Sequence, residues 1–440
     1  MRIAIATEFA AGLSFWERLA DEGNEVAVWV KPKEGKDAGN GIVEKAGTWD
    51  ALLHWAKTGA LSGMGALVLF DSSGMGDLAE EARRWGLPVL GGGKFMDRLE
   101  KDRAFGFEVA QQAGAKIPPH ERFDSFAAAL AYARKLPSQV SLFFKSDRYI
   151  DADATHGAES RDDLIEYLEH LIWRHGSAGR CILQEKIEGI PISTARWWNG
   201  TQWVGPYEGT IEHKKFLNDD VGPSTGCSFN AVWFYETTPR IAELLGWENL
   251  AWVFRRNAAP PGLYDINAVA TPDGQVYFLE WTPRFGYDSE PTSFRLYPHL
   301  TKAMYDIVMG LGGPEPSKEL GYSVRLSVPP YPWEKSKKTD LHNCIGTFVS
   351  GPTSMWEDDF LGYSLKRTER GLEVAVSDGI VGLAYSQGDS LERAHKAALA
   401  SAKRIRVPAL QYRTDGGAVI AKDAKRLVAA GFALPSSLLQ

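Results

Sequence analysis

The residues with the most capacity for chemistry sit in two apolar runs, Tyr264-Asp265-Ile266-Asn267 and Phe278-Leu279-Glu280-Trp281-Thr282-Pro283-Arg284, separated by Thr271-Pro272-Asp273-Gly274. Two alternating runs on either side of Asp-Gly predict a β-hairpin. Side chains alternate along a strand, so Asp265 with Asn267, and Glu280 with Thr282, each share one face of their strand. Four oxygen donors then converge, a hard set suited to Mg²⁺ or Mn²⁺ held together with phosphate oxygens. Arg284, just beyond, is placed to clamp a phosphoryl oxygen. Taken alone, Glu280 and Arg284 would serve equally well as an ion pair at a strand end. The cost of burying Glu, Asp and Asn among Leu, Phe and Trp without a cation favours the chemical role.

A second set is cationic. Lys101 and Arg103 stand near the start of a helix, and Lys145 ends the strand-like run Leu142-Phe143-Phe144-Lys145-Ser146. Lysines at strand ends in a cleft neutralise phosphates as point charges, although a single lysine is more often a surface group. A third feature is the polar stretch from Glu212 to Cys227, which contains His213, Lys214, Asp220, Pro223, Ser224, Thr225 and Gly226. It is either an exposed connection or a loop offering backbone N–H groups and Asp220 to a small polar ligand. His213 and His156 are candidate bases, yet a lone histidine is more often structural. Nothing beside Cys227 marks it as a nucleophile.

These residues need a multi-part scaffold. The chain has 440 residues, too many for one core. Residues 1–92 alternate strand-like runs (RIAIA, EVAVWV, GALVLF, LPVLG) with helical ones, which predicts a parallel sheet with right-handed crossovers. Residues 93–190 hold a helix and two small βα pieces, 191–320 a β-rich segment with the hairpin, and 321–440 a C-terminal α+β lobe. A net charge of −7 disfavours a polyanion such as nucleic acid as partner. Three dispersed cysteines give neither a disulfide framework nor a zinc site, and no apolar run is long enough to span a membrane. The expectation is a soluble, cytoplasmic protein, with monomer and homodimer both open. Trp197, Trp198 and Trp203 read as core before they read as an aromatic pocket.

In order and spacing, GGGKFMDRLEKDRAFGFEVAQQAGAKIP, FFKSD, ILQEKIEG, HKKFLNDDVGPSTG and YDINAVATPDGQVYFLEWTPRFG resemble the ATP-grasp ligases of the phosphoribosylamine–glycine ligase family. The resemblance implies an ATP-grasp fold, α/β and α+β, with a Rossmann-like N-terminal lobe. It implies ATP and Mg²⁺ as cofactors, and a small-molecule carboxylate and amine joined as an amide through an acyl phosphate. Arg103 or Lys101, Lys145 and Lys214 would meet the nucleotide phosphates, with Gln184, Glu185 and the backbone of Ile187 along the adenine. Glu280 stands at the family's metal-binding Glu and Arg284 at its phosphate-contacting Arg. His213, Asp220, Pro223, Ser224, Thr225 and Gly226 fall on its substrate loop.

The departures are equally specific. The family's glycine-rich lid is replaced by DRYIDADATHGAES. Its ribose-binding Glu falls at Pro191 and its metal-binding Asn at Thr282. Neither Ala6-Thr7-Glu8-Phe9-Ala10-Ala11-Gly12 nor Asp71-Ser72-Ser73-Gly74-Met75-Gly76 keeps the Gly-Gly-Arg pattern that would seat the phosphate of phosphoribosylamine. The expectation is a related ligase with a different acceptor; the alternatives are a degenerate nucleotide-binding scaffold and a true phosphoribosylamine–glycine ligase.

Overall fold

Wholly apolar runs at the start of the chain can be satisfied only by burial on both faces, and they become the strands of a parallel sheet sandwiched between helices. The computed structural model describes residues 1–8, 10, 12–31, 35–147, 155–332 and 344–440. Strands β1 (Arg2–Thr7), β2 (Glu25–Val30), β3 (Glu44–Lys45), β4 (Ala66–Phe70) and β5 (Val89–Leu90) lie in the order β3-β2-β1-β4-β5, all parallel. The order reverses between β1 and β4. The loops after Thr7 and Phe70 therefore part to opposite sides, leaving a crevice at the carboxyl ends of the strands, the usual ligand position in such sheets.

A four-stranded antiparallel sheet follows, β6 (His120–Ser125), β7 (Leu142–Ser146), β8 (Thr155–Ala158) and β9 (Ala178–Glu185), in the order β6-β9-β7-β8. The helices Phe126–Ala133 and Arg161–His175 back it, each started by a serine, Ser125 or Ser160, whose side chain accepts a backbone N–H of the first turn. Its core is Phe126, Phe144, Leu164, Leu168 and Leu183.

The largest sheet has eight strands in the order β14-β13-β10-β11-β12-β15-β20-β17. Its members are β10 (Ile190–Trp198), β11 (Trp203–Lys215), β12 (Ser224–Phe234), β13 (Gly262–Ala270), β14 (Val276–Thr282), β15 (Leu320–Ser327), β17 (Phe360–Gly362) and β20 (Ile380–Gly388). The short β16 (Phe348–Val349), β18 (Leu365–Thr368) and β19 (Gly371–Val374) pair among themselves. The C-terminal strands β15, β20 and β17 thus extend the sheet that carries the hairpin, because β15 pairs antiparallel with β12 from Phe229↔Val324 to Val232↔Gly321. Among the described residues no helix is long and apolar enough to cross a membrane.

A buried ion pair pins the helix Ser289–Phe294 over this sheet. Arg325 on β15 donates from Nε to Asp288 Oδ2 at 2.9 Å and from Nη1 to the Tyr331 hydroxyl at 2.8 Å, and Tyr363 donates to Asp288 Oδ1 at 3.2 Å. Both charged side chains are almost fully enclosed. Asp288→Ala would strand a buried guanidinium and should cost about 3–5 kcal/mol of stability. Urea denaturation measures this; a loss below about 1 kcal/mol, the range of an exposed pair, would contradict the clamp.

Candidate active site

The hairpin forms as its turn demands. Gly274 has φ +76°, Gly274 N donates to Thr271 O at 3.0 Å, and the Thr271 hydroxyl accepts from Gln275 N at 3.1 Å. Counted back from that turn, pairing begins Ala270↔Val276, Val269↔Tyr277, Ala268↔Phe278 and then skips to Asn267↔Glu280 and Asp265↔Thr282. Leu279 is the extra residue of a β-bulge. The bulge brings Glu280 and Thr282 to the face of Asn267 and Asp265; unbroken pairing would have put Leu279 and Trp281 there. Trp281 points the other way and donates to Gly106 O at 3.0 Å.

Two cross-strand rows result. One runs Thr282–Asp265–Ala195–Glu208 and the other Glu280–Asn267–Ser193–Thr210 across β14, β13, β10 and β11. Residues directly opposite one another share a face, so this side of the sheet is strongly polar. The four expected metal ligands divide on it. Asn267 donates its amide to Asp265 Oδ2 at 3.2 Å and Thr282 Oγ1 at 2.9 Å, whereas Glu280 meets Arg103 at 3.5 Å and Lys214 at 3.9 Å.

Arg103 reaches this position because Asp102 ends one helix and starts the next. Its backbone leaves the α region after Lys101, and its carboxylate caps the helix Arg103–Gln112 by accepting from Phe105 N at 3.1 Å. Lys145, at the end of β7 and 8 % exposed, completes the cation set around Glu280. Burial works against ionisation of Glu280, but Lys214, Lys145 and Arg103 outweigh it and hold the carboxyl down to about 2. Burial, with Arg103 and Lys214 acting in the same direction, brings Lys145 down to about 8 against the pull of Glu280. Burial opposes the charge on Lys214 as well, and there Glu212 and Glu280 prevail and raise it. Three cations around one carboxylate leave surplus positive charge, as a polyphosphate site requires.

Other expected residues lie elsewhere. Lys101 faces a groove of about 690 Å³ on the N-terminal lobe, lined also by Trp29, Lys31, Lys94 and Arg98. Arg284 does not pair with Glu280: it binds Glu100 at 3.0 Å, donates to Phe285 O and stacks over Tyr287 at 4.4 Å. The ion-pair alternative for Glu280 and Arg284 is therefore replaced by two separate pairs. Gln184 is buried on β9 with Nε2 unpartnered, and Glu185 N donates to Pro119 O at 2.8 Å just before Ile187.

The stretch 212–227 is a hairpin between β11 and β12, fastened to the C-terminal segment. Arg413, 1 % exposed, binds Asp220 at 2.7 Å, and His213 Nε2 lies 2.9 Å from Asp423. Asp219 and Asp220 take positive φ, at 58° and 55°, and Asp219 N donates to Asp415. Thr225 donates to Lys214 O at 2.7 Å, ordering the strand ends beside Ser224 and Gly226, while Pro223 O accepts from Phe216 N. His156 stacks on Tyr167 at 4.0 Å and lies 3.1 Å from Asp163. Half of the lid segment, residues 148–154, lies outside the described residues, as do Phe9 and Ala11 of the first loop.

Some residues at the site carried no signal of their own. Glu100, Glu208 and Glu290 enter it only through packing, and Arg413 only because the C-terminal segment folds back onto the loop. Asp97 is a further case: its carboxylate accepts from Gly74 N at 2.5 Å and Gly76 N at 2.8 Å, filling the amide-lined start of the helix Gly76–Arg84.

Two antiparallel sheets closing over a cationic cleft, behind a parallel lobe, define the ATP-grasp fold. No family model matches the chain. It is 23% identical over 348 residues to the phosphoribosylamine–glycine ligase of Halalkalibacterium halodurans, covering 76% of this chain and 77% of that one. The ligase of Leifsonia xyli is 24% identical over 351 residues, 77% of this chain and 80% of that one. Among solved structures, the phosphoribosylamine–glycine ligase of Thermotoga maritima superposes with a TM-score of 0.70 at 19% identity, over 94% of this chain and 100% of that one. The biotin carboxylase domain of Hydrogenobacter thermophilus 2-oxoglutarate carboxylase, in complex with MgADP and bicarbonate, gives 0.63 at 12% identity over 99% and 96%. The chain has the ATP-grasp fold and is similar in sequence to phosphoribosylamine–glycine ligases over about three quarters of its length.

The residues fit a metal that arrives with its nucleotide. Among the described residues no three His, Cys, Asp or Glu are grouped to hold an ion unaided. Mg²⁺ commonly takes one or two carboxylates and completes its shell with phosphates and water. Glu280, ionised throughout the physiological range, with Asn267 on the paired strand, would hold it there.

Proposed function

We propose that the chain is an ATP-dependent carboxylate–amine ligase that forms an amide through an acyl phosphate, with an acceptor other than phosphoribosylamine. The observation that carries the ligase reading is the ionised carboxylate of Glu280, ringed by Arg103, Lys145 and Lys214. In this reading a substrate carboxylate oxygen attacks the γ-phosphorus and ADP leaves. The amine then attacks the acyl carbon, loses a proton, and releases phosphate. The protein's contribution is positioning and charge: the three cations offset the phosphate charge, and the hairpin fastened by Arg413 shapes the far wall.

A changed acceptor is supported by Asp97. The backbone amides of Gly74 and Gly76 are the natural anion seat of the N-terminal lobe, and a carboxylate of the chain itself occupies them. We expect wild-type protein to show no saturable binding of ribose 5-phosphate. Asp97→Ala should gain affinity for it by roughly tenfold, about 1.4 kcal/mol. Calorimetry decides this, and tight binding of ribose 5-phosphate by the wild type would restore phosphoribosylamine as the acceptor. The ligase itself is tested by ADP release when carboxylate and amine are supplied together.

A further inference from the structure

Lys214 reaches Glu280 from a break in its own strand. His213 pairs with Phe229 and Lys215 with Ser224, so Lys214 stands opposite the stretch from Thr225 to Ser228. A break of this kind takes the backbone out of the regular ladder, and the direction of the side chain is then set by whatever else holds the chain there. Among the described residues two side chains do so. The Thr225 hydroxyl donates to Lys214 O at 2.7 Å, and Arg413 Nη1 donates to Lys215 O at 3.0 Å.

Arg413 comes from 198 residues further along the chain. Its own place is fixed from the eight-stranded sheet. Gln411, two residues before it, exchanges backbone hydrogen bonds with Ser327 on β15 at 3.0 and 2.8 Å. Nε and Nη2 grip the two oxygens of Asp415 at 2.9 and 2.7 Å, and the guanidinium lies over the Phe229 ring at 4.7 Å. The helix Gly416–Ala429 then starts so close to Tyr322 and Phe229 that a Cβ at Gly416 would overlap both. From this base Nη1 also binds Asp220 at 2.7 Å, Asp415 accepts from Asp219 N at 2.9 Å, and Thr414 and Asn218 exchange hydrogen bonds at 2.9 and 3.1 Å. Asp219 and Asp220 hold consecutive positive φ values, a conformation that persists only where the surroundings impose it. The planar fork of arginine serves the carbonyl of Lys215 and two carboxylates at once, which the point charge of a lysine cannot do.

We propose that Arg413 is a positioning residue for the cleft: through Lys215 O and Asp220 it fixes the break in β11 so that Lys214 points at Glu280. At 1 % exposure Arg413 is too enclosed to meet a ligand itself, and it acts through Lys214. The reading of the cleft as a nucleotide site enters only in the consequence of losing Lys214; the positioning does not depend on it.

The test is zero-length carbodiimide coupling of the nucleotide-free protein, which joins an amine to a carboxylate where the two already meet, followed by peptide mass spectrometry. Wild type should yield a Lys214–Glu280 link, the groups being 3.9 Å apart. Arg413→Lys, which keeps a positive charge beside Asp220 and Asp415, should lower that yield about fivefold, and Thr225→Val, which frees Lys214 O, should lower it as well. The Lys318–Glu236 link, at 2.6 Å beside the ends of β12 and β15, should stay constant and reports that the sheet is folded. Titration with Mg-ADP supplies the second arm. Arg413→Lys should weaken binding roughly tenfold, yet add nothing in a protein that already carries Lys214→Met, because both changes act through one group. An unchanged Lys214–Glu280 yield in the variants, a parallel fall in both links, or equal losses of ADP affinity with and without Lys214→Met would overturn the proposal. Failure of the wild type to bind Mg-ADP would count against the nucleotide reading alone, since the coupling yields still decide the positioning.

Discussion

Glu280→Gln should lower kcat by about three orders of magnitude, on the order of 4 kcal/mol of transition-state stabilisation, while leaving the fold intact. The expected signature is a split between rate and binding. Glutamine keeps the shape of the side chain but removes the one charge shared by Arg103, Lys145 and Lys214 among the described residues. Metal-free ADP should therefore bind the variant at least as tightly as the wild type, even though turnover is lost. Because the carboxyl sits at about 2, its titration contributes nothing to the acid limb of the activity profile above about pH 4. Steady-state ADP release alongside equilibrium ADP binding reads both effects; normal turnover in the variant would remove Glu280 from the chemistry.

Lys145 gives the largest expected pH effect. Its pKa of about 8 lies below the ordinary lysine value because burial and the neighbouring cations disfavour the charged form. The empty protein therefore carries this charge below pH 8 and loses it as pH rises through that value. If only the protonated form attracts phosphate, ADP affinity should fall about fivefold between pH 8 and pH 9 and change little between pH 6 and pH 7. Lys145→Met should bind weakly at every pH and abolish the inflection. Fluorescence titration across that range measures it, and an unchanged inflection in the variant would assign the titration to another group.

The hairpin was legible because its turn is written locally, in Asp273-Gly274, and its flanks alternate. The bulge at Leu279 was not. Without it, alternation counted from the turn would send Glu280 to the opposite side of the sheet from Asn267, and nothing in the local sequence announces the skipped residue. The cation set was half legible: Lys145 and Arg103 stood at the ends of recognisable elements, but their meeting with Lys214 depends on how two sheets close over one another. Asp220 illustrates the reverse case. It sits in a loop that reads as exposed, yet Arg413, far along the chain, holds it. The strand Leu320–Ser327 was visible as a strand, but its neighbour in the sheet is set by packing rather than by its own residues. Glu208 and Glu290 were invisible for the same reason, since a single Glu in an apolar run becomes informative only when registered against Ala195 and Asp265.

The most direct test of the central claim is a structure determined with Mg-ADP. The account predicts a metal at about 2.0–2.1 Å from a Glu280 oxygen and the diphosphate between Arg103 and Lys145, with the adenine against Gln184 and Ile187. A nucleotide seated instead in the groove lined by Trp29, Lys31 and Lys101, with Glu280 still held only by its lysine and arginine neighbours, would contradict it.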